Sequence, residues 1–182
     1  MTIKELYNWA KKNSVEEYEI IYREVFWWGY TMISNPECGW CDFKLDNFIG
    51  HPSGYMTDVV QDLLDAFINF YKKGASVAVF DEEGSYFTLL LTTYNGIYII
   101  EEKEKAKLFD FSELDIDRLA GELINDIMSD FDNWVNFTKE EGGDQFSGVH
   151  IYNKVCELKE LIKRRHGLWH AKNLLALSDK MS

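Results

Sequence analysis

Cys38-Gly39-Trp40-Cys41 is the pattern in this 182-residue chain that carries a named chemistry. Two thiols three positions apart can cycle through a disulfide or supply half of a tetrahedral zinc site. A redox pair of the thioredoxin type belongs at a strand–helix junction of a βαβ unit, whereas this pair is expected in a loop between helices. Zinc needs two further ligands. His166-Gly-Leu-Trp-His170 is an i, i+4 pair able to chelate from one helical face. Cys38, Cys41, His166 and His170 are thus one set of four that the spacing permits, with His51 ten residues beyond Cys41. Against it, no second Cys-x-x-Cys exists, and the two histidines follow Lys163, Arg164 and Arg165, a cationic stretch that suits a helix C-terminus without any ligand. The expectation is reduced thiols, structural histidines, and no metal or cofactor. Cys156, among inward helical positions, reads as a small core residue.

The second constellation is electrostatic. Residues 110–144 hold eleven acidic side chains against Arg118 and Lys139, while 145–182 turn basic; the whole chain is at −12 with a pI near 4.7. Such a surface suits a basic partner and poorly suits phosphate backbones, so nucleic acid is not the expected ligand. Glu122, Asp126 and Asp130 recur at i, i+4, i+8 and are expected along the exposed side of a helix. Trp134 and Phe137 beside them can supply apolar anchors. Asp130-Phe131-Asp132-Asn133 opens like a calcium loop but lacks the glycine at the sixth position and the closing glutamate. No phosphate-loop, dinucleotide or serine-elbow motif is present.

Hydrophobic residues make up 46% of the chain and aromatics 15%, ample for a core. The length fits one domain spanning 1–182. No signal-peptide run opens it, no window approaches the ~18 apolar residues of a membrane span, and three cysteines fit a reducing compartment. A cytoplasmic, soluble protein that makes no membrane contact is expected.

The elements that must position these residues begin with two helices, Ile3 to Ala10 and, after the capping box Ser14-Val15-Glu16-Glu17, Tyr18 to Trp28. Residues 34–54, with two prolines and three glycines, read as a long loop. A helix from Tyr55 to Lys73 ends at Gly74. Three β-branched and aromatic runs follow, Ala75–Phe80, Ser85–Thr92 and Ile97–Glu101, the last two joined by Asn95-Gly96, with a fourth strand at Ala106 to Phe109. The middle run is apolar on both faces, so cover is expected on each side. A long helix, Glu113 to Asn136, carries Ile116, Ala120, Leu123, Ile127, Phe131 and Trp134 inward. After a loop at Lys139–Gly148, a helical region runs from Val149 to about Leu177, with Gly167 as a break and 178–182 loosely held. The fold expected is α+β: a small antiparallel meander of three to four strands with five to six helices.

The acidic α+β composition and the aromatic meander ASVAVFDEEGSYFTLLLTTYNGIYIIEE resemble bacterial immunity proteins of toxin–immunity systems. The resemblance implies a stoichiometric inhibitor, not an enzyme, whose preformed acidic surface occludes the basic cleft of a toxin or nuclease. On that reading Glu122, Asp126, Asp130, Trp134 and Phe137 bind the partner. The alternatives are a zinc-binding or redox protein using Cys38 and Cys41, or an enzyme whose site no motif announces.

Overall fold

Between Ile33 and Gly50 the buried side chains alternate along the chain: Cys41, Phe43 and Leu45 point inward and Asp42 and Lys44 outward. That periodicity makes strands. The computed structural model describes residues 31–54, 58–93, 96–103, 106–137 and 147–178, with side chains at all of these except 147 and 167–178. These residues belong to the unit Thr31–Ser182. The two helices expected before Trp28, the Tyr94-Asn95 half of the hairpin turn, most of the Lys139–Gly148 loop and residues 179–182 lie outside them.

The expected loop 34–54 is a three-stranded antiparallel sheet: β1 (Ile33–Glu37), β2 (Trp40–Leu45) and β3 (Phe48–Gly50), in that order. The turn formers that suggested a loop are distributed over two tight connections and a bulge. Cys38 and Gly39 both have positive φ, 49° and 77°, as a two-residue primed turn between Glu37 and Trp40 requires. Asp46 and Asn47 connect β2 to β3. Asn35, at φ 54°, sits in the irregularity between Ser34 and Glu37.

The expected meander is present and has four strands, β4 (Ala75–Asp81), β5 (Tyr86–Thr92), β6 (Gly96–Glu102) and β7 (Ala106–Asp110), hydrogen-bonded in sequence order. Gly96 is required: its φ is 92°, and a Cβ there would stand 2.6 Å from Cα of Ser112. The inner face of this sheet meets the smaller sheet through rings. Phe87 lies 5.1 Å from Phe43, 5.1 Å from Phe48 and 4.9 Å from Phe80, centroid to centroid, and Phe48 lies 5.1 Å from Phe109. Edge-on and offset pairs of this kind stabilise beyond their buried area.

Four helices fall among the described residues, against five to six expected for the chain. α1 (Val59–Lys73) is capped by Asp58, whose carboxylate accepts the Gln61 amide at 3.1 Å; Tyr55, where the helix was expected to begin, lies outside the described residues. It ends as anticipated on Gly74, φ 81°. Val59, Val60, Leu63, Leu64, Phe67, Ile68 and Phe70 are all buried. The single helix expected over Glu113–Asn136 is two, α2 (Ile116–Ser129) and α3 (Phe131–Asn136). Asp115 caps the first by accepting the amides of Asp117 and Arg118. Asp130, at φ −133° and ψ 39°, leaves helical geometry and restarts the second. α4 (Ser147–Ser178) runs through Gly167 without the expected break. Its buried residues include Ile151, Val155 and Leu158, while Cys156 is exposed, a correction to its expected core position.

Candidate functional site

The five residues expected to form an acidic docking face are committed to the fold. Glu122 pairs with Arg118, Nε to Oε1 at 3.0 Å, along one turn of α2. Asp126 turns toward β1: one carboxylate oxygen accepts the amides of Met32 at 2.6 Å and Ile33 at 3.1 Å. Burial pushes its carboxyl up to about 6, the two amide bonds pull the other way, and the Glu122 charge adds to the rise. Asp130 accepts from the Asn133 side chain at 2.8 Å and from the Asn133 and Trp134 amides at its carbonyl. Trp134 is 3% exposed and Phe137 6%, their rings 5.5 Å apart in the core. An i, i+4, i+8 ladder faces solvent only if nothing packs against it. Here β1 does.

The basic part of α4 also finds internal partners. Lys154 meets Asp65 at 2.6 Å, and Asp117 gathers Tyr71 at 2.6 Å, Arg165 at 3.2 Å and His166 at 3.6 Å. Burial first, and the neighbouring Asp117 charge second, push the Tyr71 phenol up, so it stays a hydrogen-bond donor.

The described members of the cysteine constellation do not come together as ligands. Cys38 is exposed in the β1–β2 turn, and Cys41 is buried with its thiol 3.9 Å from the Pro52 carbonyl. Burial, then the Asp42 charge, push the Cys41 thiol up to about 12, which opposes the thiolate that zinc or disulfide exchange requires. His166 is engaged with Asp117, and the His170 side chain lies outside the described residues. Among the described residues no three His, Cys, Asp or Glu groups converge as metal ligands. Cys38 and Cys41 do border an open depression of about 440 Å³ with Asn35, Glu37, Trp40, Asp42 and His51. Within it Asp42 accepts from His51 Nδ1 at 2.9 Å and from Asn35 Nδ2 at 2.6 Å, which orients the imidazole.

The surface that sequence reasoning missed is the outer face of the four-stranded sheet. Reading across the register, it carries Val77, Leu90, Tyr98 and Asp110 in one row, and Val79, Thr88, Ile100 and Leu108 in the next. A third row holds Tyr86, Glu102 and Ala106 beside Asp81 at a buried corner. Leu108 is 67% exposed, Val77 57%, Val79 48% and Tyr86 46%. Among the described residues the charged positions on this face are all carboxylates. The nearby cations, Lys103 and Lys107, pair instead with Glu101, at 2.8 and 3.5 Å. The double-sided apolar pattern of β5 was the available signal, and it pointed to cover that no described element supplies at the exposed positions.

Among the described residues no helix is long and apolar enough to cross a membrane. No protein-family model, curated protein or solved structure matches the chain.

Proposed function

We propose that this chain is a non-catalytic, acidic protein-binding module of the immunity type, which inhibits a basic toxin or nuclease by covering it. The observation that carries the reading is the outer face of β4–β7, where exposed Val77, Val79, Tyr86 and Leu108 share a surface with Glu102 and Asp110 and, among the described residues, with no lysine or arginine. Aliphatic and aromatic anchors exclude water, while carboxylates at the rim select and steer a cationic partner. The contact surface is therefore moved from α2, where the sequence suggested it, to the sheet.

The test uses the product of the neighbouring gene, expected to be a large secreted protein with a variable C-terminal domain. That domain is purified and titrated with this protein. One-to-one inhibition is expected, with an association rate that falls as salt rises. Leu108→Lys and Val77→Lys together should abolish inhibition while leaving the fold intact by circular dichroism. Full inhibition by the double variant sinks the reading.

The Asp42–His51 depression favours a second reading, a small-ligand site beside Cys38. A small-molecule screen read by amide resonances decides it: saturable shifts at Asp42 and His51 that His51→Ala abolishes would favour it over the inhibitor.

A further inference from the structure

The outer face has an open side as well as an open surface. β7 is the terminal strand of the sheet, and the Phe111 amide donates to the Ile97 carbonyl at 2.9 Å just beyond its end. In an antiparallel ladder successive residues direct their amide and carbonyl alternately toward and away from the neighbouring strand. Counting back from Phe111, Phe109 and Lys107 address β6, and Ala106, Leu108 and Asp110 address the free edge. Among the described residues nothing pairs with that edge. The opposite edge differs, since β4 is tied to α1 by the Ser76 hydroxyl donating to the Ala66 carbonyl at 2.6 Å.

The geometry points to strand addition at β7: an extended segment of the basic partner becomes a fifth strand of this sheet. This rests on the docking reading above and specifies its mode and partner chemistry. Leu108 holds both halves of the recognition, an outward main chain and the most exposed large apolar side chain described. An incoming residue opposite Leu108 must be aliphatic, because its side chain prolongs the row Val79, Thr88, Ile100, Leu108. Residues two positions away on either side share its face. One stands opposite Asp110. The other stands opposite Ala106, whose small side chain leaves Glu102, one strand inward, within reach of a long cation. The preferred segment is therefore cation, any residue, aliphatic, any residue, cation. Main-chain bonds supply affinity and the alternate side chains supply selection.

A second copy of this chain fits the edge less well. A twofold pairing of β7 with itself about Leu108 sets each Asp110 opposite the other copy's Ala106 and its neighbouring Glu102. Both copies would also bring a net charge of −12. Like charges in adjacent rows oppose such a pairing.

The probe is the blocked peptide Gly-Lys-Thr-Val-Thr-Lys-Gly, titrated into the full-length isotope-labelled protein with amide resonances as the readout. Saturable shifts at the amides of Leu108 and Asp110 are expected, with slower hydrogen exchange at both. Leu108→Pro removes an outward donor while sparing the β6 ladder. That change, or glutamate in place of both peptide lysines, should weaken binding by about tenfold or more. Glu102→Lys provides a second variant whose main chain is untouched, and it should weaken binding of the lysine peptide alone. Shifts on Val77, Val79 and Leu90 without any at Leu108 and Asp110 would overturn strand addition and leave face docking standing. No shifts on either region would overturn strand addition, while the titration with the partner domain tests face docking independently. Concentration-dependent shifts at Leu108 without peptide would assign the edge to a second copy and overturn the proposal, as would exchange protection at Leu108 in the peptide-free monomer.

Discussion

The acidic ladder of α2 and the outer face of the β4–β7 sheet exchange the roles their sequences suggest. Glu122, Asp126 and Asp130 have the spacing of a solvated stripe, yet they hold Arg118, the amides of β1 and the restart of α3. Val77, Val79 and Leu108 have the character of core residues, yet they stand exposed. A side chain's type sets what its burial would cost or return; the neighbouring element decides whether burial occurs. The chain entering β1 approaches α2 with two amides, those of Met32 and Ile33, that need an acceptor, so carboxylate is the fitting residue there. No described element approaches the outer sheet face.

The comparison is broken most severely at the inner face. Phe87→Ala removes the ring that joins Phe43, Phe48 and Phe80, and a buried phenylalanine truncated in this way costs about 3–5 kcal/mol. Urea denaturation measures it; a loss below about 1 kcal/mol would mean that the two sheets do not share this core.

Asp126 gives the next effect. Asp126→Ala leaves the Met32 and Ile33 amides without their acceptor, at roughly 1–3 kcal/mol for each buried donor. Asp126→Asn retains an oxygen for both and should be far milder. The pH dependence separates charge from hydrogen bonding. Because the folded carboxyl sits at about 6, above its usual 3.8, the group's stabilising contribution is fully present below the unfolded value and is lost as pH rises through about 6. Wild-type stability should therefore fall relative to Asp126→Asn between pH 4 and pH 7 in the same buffer series. Parallel curves for the two proteins would refute this, and a docking role for Asp126 would then regain ground.

Much of the fold was legible because local rules and tertiary context agreed. The α1 stripe, the Gly74 cap and the β4–β7 meander follow from periodicity and turn chemistry alone. Residues 34–54 were misread because Asn35, Cys38, Gly39 and Asp46 look the same whether a turn joins strands or merely wanders. The deciding alternation of Cys41, Phe43 and Leu45 spans a single short strand. The break at Asp130 was hidden because its carbonyl bonds resemble a continuing helix over one turn. The candidate surface was the least legible part. Its residues are ordinary strand formers, and their exposure depends on which elements fail to arrive.

The smallest expected effect sharpens the contrast furthest. Leu108→Thr places a β-branched strand former on β7 and removes an exposed aliphatic side chain that packs against little, so stability should change by less than about 0.5 kcal/mol. A comparable truncation of buried Leu89, two strands inward and on the opposite face, should cost several times as much, about 2–4 kcal/mol. Urea midpoints at fixed pH measure both, and the ratio matters more than either value. Equal losses would mean that Leu108 is covered in solution, and the outer face could then no longer be offered to a partner. A near-zero change at Leu108 alongside loss of the proposed inhibition would separate binding from folding at one side chain.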